Sequence, residues 1–268
     1  MKKKSYILVY DSGIGGLTTL ANIYNILPNY NYIYFADNKN CPYGNKCKSE
    51  LQEIVSKNIT SLLKRYNITH IVLACNTATT ATIELLRQNY KIPIIGTEPN
   101  VKSPYMLGYK DITVLATPVT VKQEKFLDLE HTLEFSPTNI GIKNLAKCIE
   151  NYYLNNSNFE MLRAKKIINS ALLRTNKSSA IVLGCTHYIF MKKYIENLGY
   201  ACFDGNIGVA RRLKSLLNDN TNLSLSPSKA NNINIITDSV INNLKYKKIL
   251  LSYINSIKTT TLWYFLNK

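Results

Sequence analysis

The sequence lacks any long hydrophobic run. Although 46% of its 268 residues are hydrophobic, no apolar stretch approaches the roughly 20 residues that a helix needs to cross a bilayer. The stretch Tyr6–Tyr10 near the amino terminus is too short for a secretory signal, and it ends at Asp11 without a small-residue cleavage pattern. We therefore expect a globular, cytoplasmic protein with no membrane partner, folded as one large domain or two small ones.

The sequence also lacks closely paired cysteines. Of its six cysteines, only Cys41 and Cys47 lie near each other, and they have neither the spacing nor the nearby histidine of a zinc site. A disulfide framework is not expected in a chain without a secretory signal. We therefore expect free thiols and no bound metal.

Acidic residues are scarce, with 17 Asp and Glu against 33 Lys and Arg, which gives a formal net charge of +16. Such a charge attracts polyanions, including nucleic acids. The lysines are dispersed rather than gathered in one block, and Asn, Ile and Tyr are also abundant, as an AT-rich coding sequence would produce. We favour solvated surface charge without a function, so that any nucleic-acid binding is incidental.

Two similar stretches stand out among what is present, Ile71–Thr77 and Ile181–His187. In each, a short aliphatic run typical of a buried strand ends at a cysteine, Cys75 or Cys185. Open α/β sheets bind ligands at the carboxyl ends of their strands. The repetition therefore suggests an internal duplication in which two half-sites face one small substrate.

The rest of the chain alternates between strand and helix patterns. A strand over residues 5–10 is followed by the Gly-rich turn 11–16, which does not match the dinucleotide fingerprint, and then by leucines at helical spacing. The alternation predicts an α/β fold with parallel sheets. Further strands are predicted at 32–36, 92–96, 112–116, 200–203 and 233–237, and helices at 51–66, 78–86, 118–129, 190–198 and 209–217. A helical region is predicted over 142–173.

Several short motifs follow one another in a recognisable order. They are Asp11-Ser12-Gly13 with Gly15-Gly16, Pro42-Tyr43-Gly44, Cys75-Asn76-Thr77, Glu98-Pro99, Thr117-Pro118 with Thr120, and Gly184-Cys185-Thr186-His187. On these motifs the chain resembles the cofactor-independent aspartate/glutamate racemase family, and the glutamate racemases within it. The resemblance implies an isomerase that needs neither pyridoxal phosphate nor a metal.

The implied architecture is two pseudo-symmetric α/β domains with mostly parallel sheets flanked by helices, and an active site in the cleft between them. We expect residues 1–97 and 206–268 to form the first domain, and residues 98–205 to form the second. Members of the family are commonly dimers, so a homodimer is expected. D-glutamate made by such an enzyme would supply peptidoglycan synthesis, and with it the cell wall and cell shape.

Racemisation explains why two thiols are needed. The α-proton leaves one face of the substrate and a proton returns to the other face, so two opposed acid/base groups are natural. The carbanion between them requires positioning, exclusion of water and donors aimed at its carboxylate. A helix amino terminus lowers the pKa of a thiol below its usual ~8.5, and we expect both Cys75 and Cys185 to precede helices.

By resemblance, Cys75 is the base for D-glutamate and Cys185 the base for L-glutamate. Asp11 would assist Cys75, and His187 would assist Cys185. The resemblance assigns a wider set of residues to the substrate: Asp11, Ser12, Pro42, Tyr43, Gly44, Cys75, Asn76, Thr77, Thr120, Cys185, Thr186 and His187. Their hydroxyls, amide and backbone N–H groups are suitable hydrogen-bond partners for carboxylates and an amine.

Other interpretations remain open. The same mechanism would serve an aspartate racemase, and the net charge leaves room for a DNA- or gyrase-associated binding protein on a racemase scaffold. Taken singly, each cysteine could be a small core residue, Asp11 could cap its turn, and Glu98 could either assist His187 or cap a turn. The motifs taken together favour catalysis.

Overall fold

The alternating pattern of the sequence produces two separate sheets. The computed structural model describes residues 4–122, 136–219, 233–237 and 240–266. The strands are β1 (Ser5–Asp11), β2 (Tyr32–Ala36), β3 (Asn67–Leu73), β4 (Ile94–Gly96), β5 (Ile112–Ala116), β6 (Thr138–Gly141), β7 (Ala180–Gly184), β8 (Cys202–Phe203) and β9 (Ile233–Ile236).

Helices cover both sheets. They are α1 (Leu17–Ile26), α2 (Lys48–Arg65), α3 (Asn76–Asn89), α4 (Lys102–Met106), α5 (Pro118–Lys122), α6 (Leu145–Asn155), α7 (Asn158–Leu172), α8 (Lys192–Asn197), α9 (Asn206–Asp219) and α10 (Val240–Leu266), with 3₁₀ turns at Asn38–Asn40, Tyr43–Asn45 and Thr186–Met191. In the described part of the chain, none of these helices is both long enough and apolar enough to cross a membrane.

Every strand pairing in the described sheets is parallel. The first sheet has the order β4-β3-β1-β2-β9 and the second the order β6-β5-β7-β8. In the first, Tyr10 on β1 is in register with Leu73 on β3, and in the second, Ala116 on β5 is in register with Gly184 on β7. The segments that leave these strands therefore emerge at one carboxyl edge of each sheet, where parallel sheets carry their sites.

The two sheets share a core. One cluster of buried side chains includes Val9 from the first sheet and Leu115 and Leu183 from the second. Tyrosines are prominent among the largest fully buried residues, and the hydroxyls of Tyr34 and Tyr188 donate to backbone carbonyls at 2.6 and 2.9 Å. Burying these rings supplies much apolar contact, and the hydrogen bonds remove the penalty for an unpaired hydroxyl.

The predicted elements are largely confirmed. Strands β1, β2 and β5 match their predicted spans to within a residue, and the tail returns to the first sheet through β9 and the packing of α10 on α1. Strand β6 was not predicted, because only Ile140 of its four residues is buried and the segment has no apolar pattern. The predicted helical residues 123–129 lie outside the described residues, as do residues 220–232.

The helical region predicted over 142–173 is confirmed. It is two helices, α6 and α7, separated at Asn156, which adopts a left-handed conformation with φ of 52°. Asparagine tolerates this conformation better than most residues, because its short polar side chain bonds locally. The break lets α7 fold back along α6, and the two helices pack against each other.

The carboxyl edges of the two sheets meet at a glycine. A Cβ atom placed on Gly15, in the turn between β1 and α1, would lie 2.3 Å from Thr186 Oγ1 and 2.8 Å from the backbone nitrogen of His187. Both distances are too short for any carbon, so this approach requires glycine. The turn after β1 is therefore packed directly against the turn after β7.

We predict that Gly15→Ala lowers the free energy of unfolding by about 1–3 kcal/mol, the usual cost of overpacking a tight contact. Gly208→Ala is the matched control, because a Cβ there meets no atom within 4 Å and alanine favours the helix by roughly 0.5–1 kcal/mol. Chemical denaturation of both variants tests the contact. Equal stabilities of the two variants would contradict it.

Candidate active site

Asp11 links the two sheets at their carboxyl edges. It ends β1, is completely buried, and accepts a hydrogen bond at Oδ1 from the backbone nitrogen of Gly13 at 2.8 Å. Its Oδ2 accepts from the hydroxyl of Thr186, which follows β7, at 3.1 Å. The carboxyl group predicted to assist Cys75 thus also contacts the Cys185 side of the site.

Cys75 occupies the N-cap position of α3, as predicted. Its sulfur accepts from the backbone nitrogen of Ala78 at 3.5 Å and lies 4.0 Å from the hydroxyl of Ser12. The side chain is almost entirely buried. The first N–H groups of a helix have no partner within the helix, so the segment Asn76-Thr77 offers free donors beside the thiol.

Cys185 also precedes a helix, as predicted, but that helix is a 3₁₀ helix rather than an α-helix. The residues after it form the 3₁₀ turn Thr186–Met191, with the backbone nitrogen of Tyr188 donating to the carbonyl of Cys185 at 3.0 Å. The fully buried side chain of Tyr188 explains the tighter turn, since its hydroxyl is anchored on the carbonyl of Ile142. The side chain of Cys185 also shares a hydrogen bond with that of His187.

Burial dominates the electrostatics on the Cys75 side. It raises the pKa of the Cys75 thiol, the Asp11 carboxylate raises it further, and the N–H of Ala78 only partly offsets this. The expected lowering of the pKa of Cys75 is therefore not found. Burial also raises the pKa of Asp11 to about 6, although His187 opposes the shift. A fully buried charge is costly unless it is paired, so burial shifts both groups toward their protonated forms.

His187 forms a buried ion pair. Its Nε2 lies 2.6 Å from Oε2 of Glu150, and both residues are buried. Burial alone would lower the pKa of His187, but hydrogen bonds with Cys185, Cys41 and Glu150 raise it well above its ordinary value. An imidazolium ion beside Cys185 is thus available as a proton donor.

The carboxylate of Glu150 is surrounded by donors. Its Oε2 also accepts from the backbone nitrogen of Ile14 at 2.9 Å, and its Oε1 accepts from Tyr246 at 2.9 Å and Asn38 at 3.2 Å. A Cβ on Gly13 would lie 2.4 Å from Oε2. The glycine of the Asp-Ser-Gly motif therefore makes room for a carboxylate from the other sheet's helices.

Sequence reasoning missed Glu150, because it belongs to no motif. One signal was present: Leu145, Ala146 and Ile149 mark the buried face of α6, and Glu150 lies next to Ala146 at helical spacing on that face. An acidic residue on the buried face of a helix is seldom tolerated without a partner.

Glu98 lies in a different place from the acid that contacts His187. The acid that pairs with His187 is Glu150, whereas Glu98 lines a separate cavity of about 570 Å³, together with residues that include Lys102 and Arg212. Neither catalytic thiol candidate lines that cavity.

Three threonine hydroxyls form a cluster where the amino-terminal ends of α3 and α5 meet. The hydroxyl of Thr77 lies 3.0 Å from that of Thr117 and 3.3 Å from that of Thr120, and the latter two are 3.0 Å apart. All three residues are buried. Thr117 was recognised as part of a motif but not assigned to the site. A Cβ on Gly44 would lie 2.8 Å from the side chain of Thr117, which brings the Pro42-Tyr43-Gly44 turn against this cluster.

Tyr43 is buried, but its hydroxyl is already engaged. It donates to Oδ2 of Asp37 at 2.5 Å and lies 2.6 Å from the hydroxyl of Tyr10. Asp37, which no motif singled out, anchors the turn. What remains available to a substrate at this turn is the backbone rather than the phenol of Tyr43.

One group of potential metal ligands lies among the described residues. Single ligand atoms of Cys41, Glu150 and His187 all fall within 4.8 Å of one another. Glu150 and His187 already bond each other, and Glu150 has further donors on both oxygens. The arrangement is accounted for by the ion pair, and it places Cys41, which directly precedes the Pro42-Tyr43-Gly44 motif, in the wall of the site.

The fold and the site together define an acid–base enzyme with one thiol at the carboxyl edge of each of two parallel sheets. No family model matches the chain. Glutamate racemase from Clostridium botulinum (strain Alaska E43) is 36% identical over 245 residues, which cover 89% of this chain and 93% of that protein.

Solved structures agree with this relationship. Escherichia coli glutamate racemase, in complex with L-glutamate and the activator UDP-MurNAc-Ala, matches with a TM-score of 0.79 and 27% identity, covering 93% of this chain and 95% of that one. The Francisella tularensis enzyme in complex with D-glutamate matches with a TM-score of 0.74 and 25% identity, covering 94% and 95%. This chain belongs to the glutamate racemase family, which confirms the resemblance, the isomerase class and the α/β fold predicted from its motifs.

We predict that Asp11→Asn stabilises the fold near neutral pH. Because the folded protein raises the pKa of Asp11 from 3.8 to about 6, the stability contributed by the protonated carboxyl is complete below about pH 4 and is lost as the pH rises through about 6. Asparagine does not ionise, so the variant loses no stability over this pH range. Its side-chain oxygen can still accept the hydrogen bond from the backbone nitrogen of Gly13. Between about pH 4 and pH 7.5 the unfolding free energy should shift by about 2 kcal/mol in favour of the variant. Denaturant titrations at several pH values measure this difference. If the unfolding free energies of the wild type and the variant change in parallel with pH, Asp11 is not a buried ionisable group.

Proposed function

We propose that this protein interconverts L-glutamate and D-glutamate by moving the α-proton between Cys75 and Cys185. The observation that carries the proposal is the pair of buried strand-end thiols, one from each sheet, joined through the hydrogen bond between Asp11 and Thr186. The named relatives support glutamate as the substrate, because one structural neighbour holds L-glutamate and another holds D-glutamate.

In the L-to-D direction, the thiolate of Cys185 removes the α-proton from one face of L-glutamate. The electron pair of the broken C–H bond stays on the substrate as a carbanion. The thiol of Cys75 then gives its proton to the opposite face, which leaves Cys185 as the thiol and Cys75 as the thiolate. The reverse reaction exchanges the roles of the two thiols. Each thiol contributes by holding a proton close to the α-carbon.

Asp11 and His187 assist the two thiols. Burial keeps Cys75 in its thiol form before the reaction, and Asp11, with a pKa of about 6, is able to exchange a proton with that side near neutral pH. The imidazolium of His187, held by Glu150, serves Cys185. Each thiol thus has a proton-exchanging neighbour of its own.

The carbanion and the substrate carboxylates need donors in a site closed to water. The amino terminus of α3, at Asn76 and Thr77, is one source. The buried hydroxyls of Ser12, Thr120 and Thr186 are another. With the turn at 42–44, these groups complete the substrate set that the family resemblance implies.

We assign the site to a cleft between two domains, residues 1–97 with 206–268 and residues 98–205. The sheet composition supports this division, since the strands of the first sheet lie within 5–96 and 233–236 and those of the second within 112–203. The chain then crosses between the domains at two segments only, near Thr97 and near Gly205.

The reaction requires two reduced thiols, and all six cysteines of the chain are unpaired. Reduced thiols persist in the cytoplasm, so we place the enzyme there. D-glutamate is its product for peptidoglycan synthesis, through which it serves the cell wall and cell shape. A homodimer remains a prediction.

The first experiment measures loss of optical rotation with L-glutamate and with L-aspartate, separately, in D₂O without added cofactor. We expect glutamate to racemise and to take up deuterium at the α-carbon, because the returning proton comes from a thiol that has exchanged with solvent. Preference for aspartate would change the substrate and keep the mechanism. Inactivity on both, with folded protein and reduced thiols, would overturn the proposal and redirect attention to salt-dependent DNA binding.

Cys75→Ser and Cys185→Ser should each lower kcat by about 10²–10⁴-fold, the usual contribution of a positioned acid or base. A serine hydroxyl fills nearly the same space but ionises far less readily, so the fold should persist. Cys47→Ser, at an exposed cysteine, is the control and should keep full activity. Near-normal turnover in either of the first two variants would exclude the two-thiol mechanism.

A further inference from the structure

Tyr246 lies far along the sequence from every motif of the site and yet reaches it. It is on α10, is fully buried, and donates its hydroxyl hydrogen to Oε1 of Glu150 at 2.9 Å. Asn38 donates its amide to the same hydroxyl at 2.6 Å and to Oε1 of Glu150 at 3.2 Å. The last described helix therefore contributes directly to the surroundings of the buried carboxylate.

The direction of the Tyr246 hydrogen bond is fixed. Burial raises the pKa of Tyr246 well above its ordinary value, so the phenol stays protonated in the range where the enzyme works. A hydroxyl has one hydrogen, and Asn38 already supplies a donor to its oxygen, so the hydrogen must go to Glu150. The ring is also held beside that of Tyr34, with centroids 6.1 Å apart.

The two oxygens of Glu150 serve different partners. Tyr246 and Asn38 bind Oε1, whereas Ile14 and His187 bind Oε2. Each hydrogen bond donated to a carboxylate stabilises its charged form and so lowers its affinity for a further proton. A donor on Oε1 therefore weakens the attraction that Oε2 exerts on the proton of His187.

We propose that Tyr246 is a positioning residue that moderates the hold of Glu150 on the imidazolium proton of His187, which makes the carboxy-terminal helix α10 part of the proton-transfer machinery on the Cys185 side. The part that α10 plays in proton transfer at Cys185 rests on the proposed function. The coupling between Tyr246 and His187 is a property of the folded protein without substrate.

Several ionisable groups act on His187 besides Glu150. They come from different elements and are the same in the wild type and in a Tyr246 variant: Asp11 at the end of β1, Cys41 in the loop after β2, Cys75 before α3, and Cys185 after β7. A change at Tyr246 alone therefore isolates its effect through Glu150.

The decisive experiment follows the titration of His187 by NMR in Tyr246→Phe, which removes one oxygen atom. The chain has three histidines, so the ¹⁵N signals of labelled histidine are few, and loss of one in His187→Asn identifies the signal sought. Because Glu150 loses a competing donor, the titration midpoint of His187 should rise by about half a pH unit or more.

Kinetics provide the second measurement. In Tyr246→Phe, kcat should fall about three- to tenfold, and KM should change less than twofold. The alkaline limb of the pH profile of kcat should move to higher pH, because the pKa of His187 rises. Tyr253→Phe is the matched control, since Tyr253 lies on the same helix and packs against the ring of Phe190 at 5.3 Å. It should share any loss of stability and leave both the titration and kcat unchanged.

If Tyr246→Phe does not fold, Asn38→Ala provides a second test at a half-buried position. This substitution also removes a donor to Oε1 of Glu150, so the titration midpoint of His187 should again rise. An unchanged or lowered midpoint, or an equal shift in Tyr253→Phe, overturns the proposal. A raised midpoint in a protein that does not racemise glutamate would leave the coupling intact and reject only the proposed function.

Discussion

The arrangement of this protein depends on the burial of one carboxylate. Placing Glu150 out of water costs several kcal/mol unless the charge is paired and its lone pairs are used. The partners come from the turn after β1, the loop after β2, the turn after β7 and helix α10. Since these segments are far apart in sequence, the carboxylate can be satisfied only when both sheets and the last helix are in place together.

The same burial separates the chemistry of the two thiols. On the Cys75 side, removal of water favours neutral groups, a protonated thiol and a carboxyl whose pKa is raised. On the Cys185 side, the ion pair of Glu150 with His187 introduces a positive charge that survives burial. A pseudo-symmetric fold thus presents two unequal faces to its substrate, which suits a reaction in which one group takes a proton while the other gives one.

The sequence was sufficient to predict those site residues that lie at the ends of strands. Asp11, Cys75 and Cys185 each end an apolar strand, and parallel pairing alone brings strand ends to one edge. Glu150, Asn38 and Tyr246 could not be found in this way, because their roles come from packing between helices and turns that no periodicity records. The pKa of Cys75 was misjudged for a related reason: a helix amino terminus is visible in sequence, whereas the depth of burial that outweighs it is not.

The position of β9 has a consequence for how the protein is made. Its residues pair with β2, so that Tyr32 lies in register with Ile233, while the strands of the second sheet fall entirely between them in the chain. During synthesis the second sheet is therefore complete before the first sheet has received its last strand. Loop closure over so long a segment is slow, and the contact of Tyr246 with Glu150 forms only after it. The proton-transfer site on the Cys185 side is therefore complete only once α10 has brought Tyr246 against Glu150.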